Sequence, residues 1–198
     1  MNVGNWEVKI STNGMPQRVA TACAKLNETL VGAEYTPIAY LGSQQVNGIN
    51  HAVLAEQLIV TGKDTKNIVI ITFNEKPGEP EAIPVSIERV IEGGEDFGGT
   101  LIDVKVEDNI PDTIRTEVWN PAFEDRLGIS IKPIAYLGSQ ITKGINYIFV
   151  AETASIVPDP IKEATLVIIN PLIQEVHFSN LLANKHEAAL GYAFTWLS

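Results

Sequence analysis

The sequence predicts an α+β chain made of two tandem copies of one unit, each a helix packed on a four- to five-stranded antiparallel sheet. Three observations carry this reading. First, the block Pro37 to Asn50 returns 96 positions later as Pro133 to Asn146, with 11 of 14 positions identical. Second, the same spacing relates Val8-Lys9-Ile10 to Val104-Lys105-Val106, Gly32 to Gly128, Ala55-Glu56 to Ala151-Glu152 and Asn74 to Asn170. Third, each copy shows one apolar pattern of helical period, followed by short Ile- and Val-rich runs with turn residues between them. A fixed spacing over most of a hundred residues marks a duplicated supersecondary unit. The predicted division is residues 1–91 for the first domain, 92–99 for a Gly-rich acidic linker and 100–198 for the second domain.

The elements of the first unit follow in order. Trp6, Val8 and Ile10 alternate with Glu7 and Lys9, the period of a half-buried strand. Ser11-Thr12-Asn13-Gly14 breaks that pattern, and Pro16 suits a first helical turn. Val19, Cys23, Leu26 and Leu30 then recur at helical spacing among alanines, and Gly32 ends the helix. Four apolar stretches follow: Pro37 to Leu41, Ile49 to Val60, Ile68 to Phe73 and Ile83 to Ile91. Asn47-Gly48, Thr61-Gly62-Lys63-Asp64 and Asn74-Glu75-Lys76-Pro77-Gly78 supply the turn chemistry between them. The predicted order is β-α-β-β-β-β, an antiparallel meander with a helix laid across it. The second unit repeats this course with one disturbance. Its helix, Pro111 to Leu127, contains Asn120-Pro121, which predicts a kink or break near Trp119.

Composition narrows the function classes. The chain has 198 residues with 14 basic and 24 acidic side chains, a formal charge of −10, shared evenly between the halves. No basic patch or tail is present, so neither nucleic acid nor an anionic membrane is an expected partner. The apolar runs are strand-sized, well short of a spanning helix, and the N-terminus has no basic, apolar leader pattern. With one cysteine, Cys23, an intramolecular disulfide is excluded. A soluble cytoplasmic protein is the expectation.

Chemistry-bearing motifs are sparse. Cys23 falls on the apolar stripe of the helix and reads as packing. His51, His177 and His186 have no metal-ligand spacing, and His51 aligns with Tyr147, as a packing or surface strand residue would. The glycines of the linker, Glu92 to Gly99, are accompanied by Glu95 and Asp96 and followed by no lysine, which favours a flexible acidic connector over a phosphate loop. No catalytic set, metal site or cofactor motif stands out, so the chain is not expected to be an enzyme.

The segment Gln44-Gln45-Val46-Asn47-Gly48, followed by Ile49-Asn50-His51, has the form Gln-x-Val-x-Gly at the first turn of the meander. With the element order around it, this stretch resembles the cystatins, and among them the disulfide-free stefin type. Gly4, just before the first strand, and Pro77-Gly78, in the second hairpin, fall at two further landmarks of that family. The resemblance covers Gly4 to about Ile91. It implies tandem cystatin-like domains and a non-catalytic inhibitor of papain-like cysteine proteases, with no cofactor. The implied binding residues are Gly4, Gln44, Gln45, Val46, Asn47, Gly48, Pro77 and Gly78. Gly4 would let the backbone pass close to the enzyme, the Gln44 to Gly48 loop would dock pre-ordered, and Pro77 would stiffen the second hairpin. Gln45 and Asn47 stand where the family carries apolar residues. The second unit reads Gln140-Ile141-Thr142-Lys143-Gly144, without the central valine, and Gly98-Gly99 lies near the position of Gly4. Two alternatives remain at this stage. One is a structural or interaction module, cellular or viral, in which the duplicated sheets serve another partner. The other is a small-ligand site between helix and sheet.

Overall fold

The computed structural model describes residues 4–60, 64–94, 98–124 and 128–183, together with the backbone of 193–195. Parts of the predicted linker (95–97), of the turn at Thr61-Gly62-Lys63 and of the second helix (125–127) lie outside these residues, as does His186. The chain divides into two compact units, Met1–Gly94 and Glu95–Ser198.

In unit 1 the described residues form strand β1 (Trp6–Ser11), helix α1 (Gln17–Thr29) and strands β2 (Ala33–Val46), β3 (Gly48–Ile59), β4 (Thr65–Glu75) and β5 (Ile83–Glu92). The strands pair in sequence order as one antiparallel sheet. Helix α1 turns Val19, Ala22, Cys23 and Leu26 onto Tyr40, Val53, Ala55, Val69, Ile71 and Phe73 of the sheet. Leu30 has already left the helix in an extended conformation and is 40 % exposed, so it is not part of the buried stripe. The centres of β3 and β4 are buried on both faces, which explains why Ile68-Val69-Ile70-Ile71 is a continuous apolar run rather than an alternating one.

Unit 2 contains β6 (Thr100–Val106), β7 (Ile129–Thr142), β8 (Gly144–Ser155), β9 (Lys162–Asn170), β10 (Glu175–Asn180) and β11 (Ala193–Thr195), again antiparallel and in sequence order. Between β6 and β7 the described residues form no regular α-helix. Instead the chain runs through a 3-10 turn at Glu107–Asn109, a single α turn at Asp112–Ile114, a π turn at Arg115–Trp119 and a short α segment at Asn120–Phe123.

These findings correct the predicted fold class. The chain is dominated by two antiparallel sheets, of five and six strands among the described residues, and a regular helix packs on only one of them. Two domains with one helix each on a four- to five-stranded sheet is therefore not the architecture. Pro121 supplies part of the reason: it has no N–H for the carbonyl of Glu117, and the wide turn ends just before it.

The rest of the reason is chain length, and it corrects the constant spacing as well. Trp6 pairs with Gln44 and Thr100 with Gln140, so the first strands correspond at a spacing of 94 residues, and Val8 matches Ile102 rather than Val104. The prolines that precede the helical stretches, Pro16 and Pro111, are 95 apart, and Gly32 and Gly128 after them are 96 apart. Unit 2 has thus gained one residue in the loop, where the 3-10 turn lies, and one in the helix, where the π turn absorbs it.

What the repeated block encodes is a bend. In both units the pairing slips twice at matching positions, between Pro37 and Ala39 and between Tyr40 and Gly42, and again between Pro133 and Ala135 and between Tyr136 and Gly138. Such bulges curve a strand and increase its twist. Gly42 and Gly138 sit at the second slip with positive φ, and a Cβ on either would lie 2.3 Å or 2.1 Å from the carbonyl oxygen of Glu7 or Leu101. Only glycine admits the neighbouring strand that close.

Candidate functional site

The residues implied by the cystatin resemblance gather at one end of the unit 1 sheet. Gly4 precedes β1, Gln44 to Gly48 form the tight β2–β3 hairpin, and Pro77-Gly78 sit in the β4–β5 connection. The Gly4 N–H donates to the Gln45 carbonyl (3.2 Å), and the Gln44 side-chain amide donates back to the Gly4 carbonyl (2.7 Å). Asn50 Nδ2 donates to Gln44 Oε1 (3.1 Å), and Asn74 Nδ2 donates to Asn50 Oδ1 (2.7 Å). A ladder of amides therefore ties the N-terminal segment to both hairpins. Gln45, Asn47, Pro77 and Gly78 are exposed, whereas Gly4, Gln44, Val46 and Gly48 are half-buried.

Gly48 has a structural role of its own. Its φ is +99°, and a Cβ there would lie 2.4 Å from the Glu75 carbonyl oxygen. The first hairpin rests directly on the root of the second, and that contact needs the missing side chain. In the second connection Pro77 and Gly78 are the central residues of a turn closed by the Glu79 N–H on the Lys76 carbonyl (3.2 Å).

Unit 2 repeats the ladder. Gln140 Nε2 donates to the Gly98 carbonyl (2.7 Å), Asn146 Nδ2 to Gln140 Oε1 (3.3 Å), and Asn170 Nδ2 to Asn146 Oδ1 (2.8 Å). Gly98 is thus the counterpart of Gly4. What differs is the chemistry at the tips. Unit 2 exposes Leu101 (62 %), Ile141 (61 %), Leu172 (69 %) and Ile145 (42 %) there. The pairings of Leu101 with Ser139 and of Ile141 with Ile145 set Leu101, Ile141 and Ile145 on one face. Leu172 packs beside Gly144. The positions in unit 1 that match Leu101 and Ile141 by strand register are Glu7 and Gln45. Ile141 was readable in the sequence as an apolar residue in the hairpin. Leu101 was not, because the two-residue slip in the first strand hid its position.

A second constellation, unforeseen from the sequence, lies on the helix side of the same end of unit 1. His51, 5 % exposed, has Nδ1 3.0 Å from the Tyr40 hydroxyl and Nε2 3.4 Å from Glu75 Oε2. Glu75 Oε1 accepts from Arg18 (2.9 Å), and His51 Nε2 is left without a hydrogen-bond partner among the described residues. Burial depresses the His51 pKa below its usual 6.5, against an opposing pull from the Glu75 carboxylate. Burial raises that of Tyr40. Strand alternation places His51 with Val53 and Ala55, but only the long-range register brings Glu75 opposite Ile49. The sequence offered no signal for that pairing.

Cys23 is buried, and its thiol pKa is pushed up to about 11 by desolvation, which suits packing and disfavours a nucleophile. Among the described residues no three His, Cys, Asp or Glu side chains converge to hold a metal, and no helix is long and apolar enough to cross a membrane. No family model, curated protein or solved structure matches this chain.

Proposed function

We propose that the chain is a non-catalytic, cytoplasmic binding protein that presents the hairpin end of unit 1 to the cleft of a papain-like cysteine protease. The observation that carries this reading is the amide ladder from Gly4 through Gln44 and Asn50 to Asn74. It holds three chain segments at one end before any partner arrives, and pre-ordering lowers the entropic cost of docking. Exposed Gln45, Asn47 and Pro77 form the contacting tips. The test is inhibition of papain or a cathepsin by the purified chain, with Gln45→Ala and Asn47→Ala as variants. Inhibition weakened by these exposed substitutions, with unchanged circular dichroism, is expected. Absence of inhibition at high micromolar concentration retires the reading. Gly48 is unsuitable as a probe, because its substitution disturbs the contact between the hairpins.

A second reading rests on the apolar tips of unit 2. Leu101, Ile141, Ile145 and Leu172 give that end of unit 2 the character of a protein contact surface, since clustered exposed apolar side chains mark interfaces. In this reading the chain is an interaction module without protease inhibition, and unit 2 makes the contact. Ile141→Ser with Leu172→Ser separates the two: it leaves papain inhibition intact under the first reading and removes partner binding under the second.

A further inference from the structure

Beside the His51 constellation, unit 1 contains an open cleft of about 540 Å³ lined by Glu7, Lys9, Gly14, Met15, Pro16, Tyr40, Ser43, Ile49 and His51. Its size is that of a small-molecule site. On its floor the Tyr40 hydroxyl and His51 Nδ1 bond each other, while the buried His51 Nε2 has no hydrogen-bond partner among the described residues. At its rim the uncommitted groups are charged. Glu7 and Lys9, two residues apart on β1, both line the cleft, and neither has an ion-pair partner among the described residues. The third component is an apolar wall of Met15, Pro16 and Ile49.

Unit 2 serves as an internal control. Counted by strand register, Glu7 and Lys9 become Leu101 and Asp103, and Asp103 is already paired with Lys105. His51 becomes the larger Tyr147, and Met15, the residue before the helix proline, becomes Ile110, which is buried in the core. Opposite charges beside an apolar wall are therefore particular to unit 1, not a consequence of the shared fold.

We propose that this cleft binds a small zwitterion of the apolar α-amino-acid class. Glu7 receives the ammonium group, Lys9 the carboxylate, and the side chain lies against Met15, Pro16 and Ile49. The site is independent of any protease contact. The experiment is an NMR titration of the full, isotopically labelled chain with L-leucine and L-phenylalanine. Saturable shifts at Lys9, Tyr40, Ser43 and His51 are expected. 3-Phenylpropanoate and 2-phenylethylamine, each with one of the two charges, should bind about tenfold more weakly or worse, as should the Glu7→Gln and Lys9→Gln variants. The double variant Met15→Ile with His51→Tyr, which copies unit 2, should lose binding. Since Glu7 and Lys9 are exposed, their variants keep the test valid if the double variant fails to fold. Absence of saturable shifts, shifts confined to other surfaces, or equal binding of the singly charged analogues overturns the proposal.

Discussion

Unit 1 and unit 2 share a bent sheet and differ in what covers it. In unit 1 a regular 13-residue helix lays small and medium side chains on the sheet, with Cys23 and Val53 near its centre. In unit 2 the matching positions are Trp119 and Phe149, whose rings meet edge to face at 5.0 Å, with Phe123 4.6 Å from Trp119. The bulkier core goes with the irregular helical stretch and its extra residue. One unit thus keeps an even helix over small and medium core side chains, and the other packs aromatic rings beneath an irregular one. A duplicated sheet can tolerate divergence in its covering layer, because the sheet's own hydrogen bonds and bulges do not depend on that layer.

The sharpest way to break this comparison is at the shared bulge. Gly42→Ala and Gly138→Ala should each cost about 3 kcal/mol or more, since a Cβ meets backbone that cannot move aside. Urea unfolding of the two variants checks this. A large loss at one site and none at the other would show that only one unit needs the close approach.

Comparable in size is the effect of the covering layer. Trp119→Ala should cost roughly 3–5 kcal/mol, whereas Cys23→Ala at the matching position should cost about 1 kcal/mol. The same denaturation measurement reads both. Equal losses would remove the aromatic core as the distinguishing feature of unit 2.

The smallest expected effect concerns pH. His51 is held neutral by burial, with a folded-state pKa below its unfolded value of about 6.5. The unfolded chain therefore takes up a proton first as pH falls. The stability that His51 contributes is complete above pH 6.5, declines as pH drops below it, and levels off under the depressed folded value. His51→Tyr, the unit 2 residue, should flatten that slope. If thermal melts of the parent chain and the variant show the same slope between pH 7 and 5, His51 is not the responsible group.

Much of this architecture could be read from residues alone. The repeat, the strand-helix-meander order of unit 1, the Asn47-Gly48 hairpin and the disturbance near Trp119 all rest on local chemistry: alternation, helical spacing, turn glycines and a proline. The even spacing of 96 misled at the first strand, because two separate single-residue gains leave the matched block untouched while shifting Val8 onto Ile102. The implied site residues lie together at one end of unit 1, but Gln44 and Gly48 are there as braces. That role depends on partners 40 and 27 residues away, at Gly4 and Glu75.

By itself the sequence determined that one sheet-forming unit occurs twice, since strand periodicity and turn residues act over a few positions and survive copying. Only the tertiary structure decided that the helix is regular in unit 1 and broken by a π turn in unit 2, that an amide ladder fastens each hairpin end, and that His51 meets Tyr40 and Glu75 over an open cleft. Those features arise where distant strands come into register. Register is fixed by how a whole apolar face packs, not by any one stretch of chain.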